Sequence, residues 1–223
     1  MGEERSAPRR EVVHGDALEW LAANPALAGA SVLSTIPDVS ELGVALPVWL
    51  EFFRAAARVS LLAAPEDGLC VFFQTDIKRE GRWISKAALV LRAADELEIP
   101  LLFHKVVCRR PPGTIVHGRP GYSPLLGFSR GARDDPARAT ADVLPDRGVM
   151  PWSHSMGTRA AEEAVRAVRR LAPATTRLVV PFCGIGTALA VANRLGLDAV
   201  GIERNRKRAE AARVFTLEAP AES

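Results

Sequence analysis

The sequence contains no uninterrupted apolar run of membrane-spanning length, and its opening "MGEERSAPRREVVHG" has no apolar stretch of the kind a secretion signal needs. A helical membrane protein and a secreted one are set aside, and a soluble, cytoplasmic protein is expected. Cysteine is scarce. Cys70, Cys108 and Cys183 stand far apart, two of them inside apolar runs where a thiol serves as a small hydrophobe. Neither a disulfide framework nor a zinc site is expected, and no other metal is implied. Charge is nearly balanced, with 29 Lys and Arg against 26 Asp and Glu. The net +3 and pI near 9.0 suit a nucleic-acid partner without requiring one. Internal repeats are absent. What remains is 223 residues, 48% hydrophobic and 25% charged, enough for one domain with a single sizeable core.

Apolar runs rich in Val, Ile and Phe alternate with longer segments of helical period, an α/β pattern. The strand candidates are "SVLSTI", "GLCVFFQ", "PLLFHKVVC", "RLVVPF" and "DAVGIE". Helical spacing runs through "LPVWLEFFRAAARVSLLAA", "ISKAALVLRAADELE", "TRAAEEAVRAVRRLA" and "NRKRAEAARVFTLEA". A mostly parallel sheet follows, joined by crossover helices that cover both faces. From Arg130 to Pro151, "RGARDDPARATADVLPDRGVMP" keeps no period and reads as a long flexible connection. The single domain, residues 1–223, is thus divided into an N-terminal block (1–129), a connection (130–151) and a C-terminal block (152–223).

The segment "LVVPFCGIGTALAVANRLG" reads as a buried strand, a glycine loop and a helix. Gly184 and Gly186 permit a tight turn and close backbone approach, and the helix offers free amides at its N-terminus. The next strand ends in Glu203, where a carboxylate commonly accepts hydrogen bonds from ribose hydroxyls. Loop and acid together point to an adenosine-containing ligand. An ordinary turn beside a solvated glutamate is the plainer alternative. The third glycine of a dinucleotide fingerprint would fall at Leu189, and only 20 residues follow Glu203, too few for the remaining strands. The other half of the sheet must be encoded upstream.

With that order, "VPFCGIGTA" followed by "GIE" resembles the end of amino-methyltransferases of the DNA N4-cytosine/N6-adenine type. Their permuted chains finish with a "DPFCGSGTT"-like loop for S-adenosylmethionine. "MPWSHSMGTRAAEEAVRAVRRLAP" falls where that family has an "HPTQKP" segment that cradles the methionine end of the cofactor. "EVVHGDALEWL" looks like the family's opening strand and "GD" turn, whose acid contacts the adenine amine. The resemblance spans nearly the whole chain. It implies an α/β, Rossmann-like class I methyltransferase sheet with circularly permuted motif order. It also implies S-adenosyl-L-methionine as cofactor, held by Asp16, Trp152, Ser153, His154, Pro181, Phe182, Cys183, Gly184, Gly186, Thr187 and Glu203.

Two departures from the family pattern stand out. Val180 occupies the place of the Asp of "DPF", leaving the cofactor's ammonium to Ser153, Asp38 or a backbone carbonyl. "TIPD", Thr35 to Asp38, replaces the catalytic "DPPY" or "SPPY", so the aromatic that stacks on a flipped base is missing. Asp38 then accepts hydrogen bonds from an amine, acts as a general base, or simply caps the following helix. Thr35 and Pro37 join it as catalytic candidates.

"FFQTDIKREGRW" puts Gln74, Thr75, Asp76 and Lys78 at the carboxyl edge of the sheet, where open α/β folds bind ligands. Asp76 is a further catalytic candidate, or with Lys78 part of a solvated turn. Lys105, Arg109, Arg110 and Arg119, close to Tyr122, suit phosphate and base contact, or form a solvated charged hairpin. His104, in an apolar run, reads as a core residue. With no recognisable target-recognition segment, the expected substrate is a base in structured RNA such as tRNA or rRNA. A DNA amino-methyltransferase, a small-molecule methyltransferase and a non-catalytic binding subunit stay open. A homodimer is admitted, and no membrane partner is expected.

Overall fold

The computed structural model describes residues 7–25 and 27–217, and among them it has ten strands. They are β1 (Arg10–His14), β2 (Ala30–Ser34), β3 (Cys70–Phe73), β4 (Ile77–Arg79), β5 (Arg82–Ile84), β6 (Leu101–Cys108), β7 (Tyr122–Phe128), β8 (Val143–Leu144), β9 (Arg177–Pro181) and β10 (Asp198–Glu203). Eight of them form one sheet in the order β1-β10-β9-β2-β3-β7-β6-β8, and β4 and β5 pair as a separate hairpin. The five strands from β1 to β3 are parallel to their neighbours, while β7 runs antiparallel to both β3 and β6. The strand carrying the glycine loop, β9, is encoded ninth yet sits beside β2 at the middle of the sheet. Both ends of the chain therefore build the half-sheet β1-β10-β9.

Helices α1 (Ala17–Ala23), α2 (Val39–Leu42), α3 (Leu46–Ala63), α4 (Lys86–Glu96), α5 (Thr158–Leu171), α6 (Thr187–Arg194) and α7 (Arg206–Val214) complete the fold. Buried residues form two clusters, one on each face of the sheet. Trp49, Phe53 and Leu61 of α3 meet Val32, Phe72 and Val179 in one, and Val165, Val168 and Leu189 of α5 and α6 meet Leu33, Val71 and Leu178 in the other. Covering both faces is why β2, β3 and β9 are buried almost throughout rather than on alternate residues.

Sequence patterning missed β7. Pro124 and Gly127 interrupt its apolar run, but the strand is central and buried from Ser123 to Phe128. Pro124 lacks a donor, and its carbonyl still accepts from Gln74 N at 3.1 Å. Gly127 is required because a Cβ there would fall 2.2 Å from the Phe103 ring, which crosses the strand at a register shift in β6. The segment from Arg130 to Pro151, read as a flexible connection, carries a 3-10 turn at Pro136–Arg138 and the edge strand β8, parallel to β6.

Among the described residues no helix is long and apolar enough to cross a membrane. No group of three His, Cys, Asp or Glu residues among them could hold a metal ion.

Candidate active site

The carboxyl ends of the parallel strands open into a cleft of about 570 Å³, within the size range of small-ligand sites. Its floor is the loop after β9. Phe182, Gly184 and Gly186 all adopt left-handed backbone conformations, φ 61°, 57° and 90°. For Phe182 that is strained, and its ring is wedged edge-on against Phe52, centroids 6.0 Å apart. The two glycines serve different ends. A Cβ on Gly184 would point at Trp152, 3.5 Å from Cζ3, whereas one on Gly186 would meet Ala212 of α7, 3.0 Å from its Cα. Gly186 is therefore a packing glycine, not the point of close ligand approach expected from the sequence.

Glu203, at the end of β10 and buried, accepts hydrogen bonds from Gly184 N (3.0 Å) and Asn205 N (2.8 Å). Arg208 Nε lies 3.3 Å from the same carboxylate. Asp16 caps α1 through Oδ1, which accepts from Leu18 N and Glu19 N, leaving Oδ2 unused by the cap. Over the loop runs a strap whose Arg147 carbonyl accepts from Arg159 N and Ala160 N at the start of α5. Trp152 on this strap packs against His154, ring centroids 4.8 Å apart and planes tilted by 41°, and lies under the Arg208 guanidinium, 5.4 Å away. Trp152, Ser153, His154, Phe182, Cys183, Gly184, Thr187 and Val180 all line the cleft, while Pro181 belongs to β9 behind it. The Cys183 thiol is pushed up to about 12, first by burial and then by the Glu203 charge, so it is not a nucleophile at neutral pH.

At the far end of the cleft stand Thr35, Pro37, Asp38, Gln74, Lys86, Arg109, Arg119 and Arg147. The Pro37 carbonyl is taken by Trp49 Nε1 at 3.0 Å, so this residue positions the segment rather than meeting a reacting atom. Asp38 does begin α2, and its N–H donates to Glu41 Oε1 at 3.0 Å. Its Oδ2 faces Lys86 Nζ at 3.3 Å and Arg119 Nη2 at 3.1 Å. Burial lowers the Lys86 pKa, an effect that Asp38 opposes.

Several candidates fall outside the cleft. Asp76 is buried and spent on the fold, its carboxylate accepting from Trp83 Nε1 (2.9 Å), Lys86 N (2.7 Å) and Ala87 N (3.3 Å). It ties the β4-β5 hairpin to α4, so it is neither a catalyst nor part of a solvated turn. Lys78 lies over the Trp83 ring on that hairpin, 4.8 Å from its centroid. Lys105 is buried under β8, donating to Thr140 Oγ1 and the Ala141 carbonyl at 2.6 Å each and pairing with Glu163 at 3.0 Å. No phosphate can reach it. Arg110 and Tyr122 are exposed and do not line the cleft. Lys86, Glu41, Arg147 and Arg208, which do, gave no signal in the sequence beyond ordinary helix and loop charges.

Six buried side-chain polar atoms lack a hydrogen-bond partner among the described residues. Five belong to residues of this one cleft: Gln74 Nε2, Arg109 Nε, Ser155 Oγ and Thr187 Oγ1, which have no partner at all, and Asp38 Oδ2, which is held only by its ion pairs with Lys86 and Arg119. Unpaired buried polar atoms are rare in folded proteins, and their convergence marks a place shaped for a polar ligand.

No protein-family model matches the chain, and no curated protein matches it. Solved structures do. A protein of Thermus thermophilus, provisionally assigned as a DNA modification methylase and crystallised with S-adenosyl-L-methionine, is 21% identical with a TM-score of 0.65, covering 92% of this chain and 91% of that one. The cytosine-N4-specific PvuII DNA methyltransferase is 16% identical with a TM-score of 0.66, covering 96% and 89%. The M1.HpyAVI–SAM complex is 13% identical with a TM-score of 0.58, covering 92% and 97%. The chain therefore has the Rossmann-like methyltransferase fold that these three proteins share.

Proposed function

We propose that the chain is an S-adenosylmethionine-dependent methyltransferase acting on an amino group of a DNA base. The carrying observation is the convergence of four partnerless buried polar atoms in one cleft, at the carboxyl edge of a methyltransferase-type sheet. DNA replaces the structured RNA expected from the sequence, because the solved structures that share the fold are described as DNA methylases.

The residues at the glycine-loop end fit the cofactor. Glu203 keeps acceptor capacity beyond its two backbone bonds and suits ribose hydroxyls, and Asp16 Oδ2 suits an adenine amine. Ser155 and Thr187 supply unpaired hydroxyls, and Trp152 closes the site above Gly184. When bound, S-adenosylmethionine supplies an electrophilic sulfonium methyl group. At the other end, Asp38 accepts a hydrogen bond from the acceptor amine and Gln74 Nε2 donates to a neighbouring acceptor atom of the base, which leaves the amine lone pair free for the methyl group while the displaced proton leaves to solvent, and catalysis rests on that alignment. Val180 has no polar group to offer the cofactor's ammonium, so Ser153 or a backbone carbonyl takes that place.

The test combines calorimetry of S-adenosylhomocysteine with transfer of labelled methyl groups to single-stranded DNA, duplex DNA and tRNA, followed by mass spectrometry of the nucleosides. Methylated adenine or cytosine from DNA is expected. Label in tRNA alone would return the substrate to RNA, and failure to bind the homocysteine product would remove the methyltransferase reading itself.

A further inference from the structure

The acceptor end of the cleft carries more positive charge than the protein itself neutralises. Arg109 follows the last residue of β6, Arg119 lies in the loop before β7, and Arg147 comes from the strap over the glycine loop. The N-terminal block and the connection that follows it thus both contribute. Arg109 is half-buried and anchored by one bond from Nη1 to the Pro120 carbonyl at 2.8 Å, while its Nε is buried without a partner. Burial lowers its pKa, and the charges of Arg147, Arg119 and Arg110 lower it further. Arg147 is lowered in the same way, by burial and by Arg110. Among the described residues the carboxylate that reaches this group is Asp38, through Arg119, and Lys86 already shares it.

Like charges gathered in a partly desolvated site repel one another, and a protein tolerates this where a ligand supplies the opposite charge. The planar forks of arginine match the oxygens of a phosphate, and several converging on one spot suit a tetrahedral anion better than a single carboxylate oxygen. We propose that Arg109, Arg119 and Arg147 form a phosphate-binding subsite inside the cleft, which holds a phosphate of the substrate while the acceptor group lies against Asp38 and Gln74. The subsite deepens the methyltransferase reading, on which its substrate assignment rests. It differs from the exposed basic stretch expected from the sequence. Lys105, Arg110 and Tyr122 have no place in it, and Arg147, from the strap before α5, does.

Calorimetry with inorganic phosphate and with a short single-stranded DNA tests the subsite. Wild type, Arg109→Gln, Arg147→Gln and the surface control Arg58→Gln would be compared, each first checked by thermal melting. Arg58 lies away from the cleft, paired with Glu96 at 2.8 Å. Each cleft variant is expected to bind phosphate at least tenfold more weakly. The slope of log affinity for DNA against log salt should also fall by about 0.7 per arginine removed, while Arg58→Gln behaves as wild type. Affinity for S-adenosylhomocysteine should stay within twofold in all four. Phosphate binding with no DNA binding would support the subsite and assign it a small phosphorylated substrate. Undiminished phosphate binding in both cleft variants, or none in the wild type, would overturn it. Loss of homocysteine binding in the wild type would remove the methyltransferase reading and leave the phosphate result to decide the subsite by itself.

Discussion

Asp38 Oδ2 lies 3.3 Å from Lys86 Nζ, with both side chains almost wholly withdrawn from water, 6% and 4% exposed. The Lys86 ammonium also sits over the Trp49 ring, 5.5 Å from its centroid, and the indole N–H of that ring holds the Pro37 carbonyl. Helices α3 and α4 therefore clamp the segment Thr35–Asp38 from beneath. A side chain at the start of α4, a helix with no evident link to the site in sequence, fixes the geometry of the residue proposed to face the acceptor.

Removing one member of a buried ion pair leaves the other charge stranded, at about 3 to 5 kcal/mol when nothing else compensates. Arg119 remains beside Asp38 in a Lys86→Met variant, so a loss of about 2 kcal/mol in urea unfolding is expected there. Combining it with Asp38→Leu should recover at least about 1 kcal/mol relative to the sum of the two single changes, since no stranded charge remains. Strict additivity in this cycle would show that the two groups do not act as a pair.

The glycines of the floor should separate packing from binding. Gly186→Ala forces a methyl group against Ala212 at 3.0 Å and keeps a backbone angle of φ 90°, so it should lower stability by roughly 2 kcal/mol or more. Gly184→Ala has a gentler clash, 3.5 Å to Trp152, and a φ of 57° that alanine reaches at about 1 kcal/mol. Its effect should appear instead as weaker binding of S-adenosylhomocysteine, because the added methyl occupies the space between loop and Trp152. Melting and calorimetry on both variants decide it, and a reversed pattern would exchange the two roles.

The glycine-loop end of the cleft was legible because its constraints are local. A strand, two glycines and a terminal acid lie within Leu178 to Glu203, and each constraint acts on neighbours in sequence. The acceptor end was legible only in part, since Asp38 and Gln74 sit at strand ends while Lys86, Arg119 and Arg147 reach the cleft through contacts between distant segments. Lys105 and Asp76 misled for the opposite reason. Their charges suggested solvent or substrate, but β8 and the β4-β5 hairpin, both too short to show a period, bury them. Likewise β7 was hidden by Pro124 and Gly127, whose roles appear only once Gln74 and Phe103 are in place beside them.

Alkaline pH gives a further check on the floor of the cleft. In the unfolded chain the Cys183 thiol ionises near 9.0, whereas in the fold it is pushed up to about 12, chiefly by burial. A raised folded value means the contribution is complete below pH 9 and is lost progressively as pH rises towards 12. Cys70 is raised in the same direction, also by burial. Cys183→Ala should therefore show a shallower fall of unfolding free energy between pH 9 and 11 than wild type, whatever its stability at pH 7. Equal slopes would mean that the thiol is open to solvent.

Glu203 ties the end of β10 to the glycine loop after β9, and Glu203→Gln tests whether its charge or its shape matters. The carboxylate accepts from Gly184 N through Oε2 and from Asn205 N through Oε1, with Arg208 beside the latter. Glutamine offers one oxygen and one NH2 group. One of the two backbone donors must then face another donor, and Arg208 loses its counter-charge. An unsatisfied buried donor costs about 1 to 3 kcal/mol, so the variant should be less stable by about that amount. Ribose hydroxyls would still find one acceptor oxygen, so S-adenosylhomocysteine should bind, but at least tenfold more weakly as the distorted loop and the missing charge act together. Glu203→Asp, which keeps the charge but shortens the reach, should lose the Gly184 bond and behave similarly in stability. Wild-type cofactor affinity in both variants would remove Glu203 from the binding site and leave it as a brace for the loop after β9.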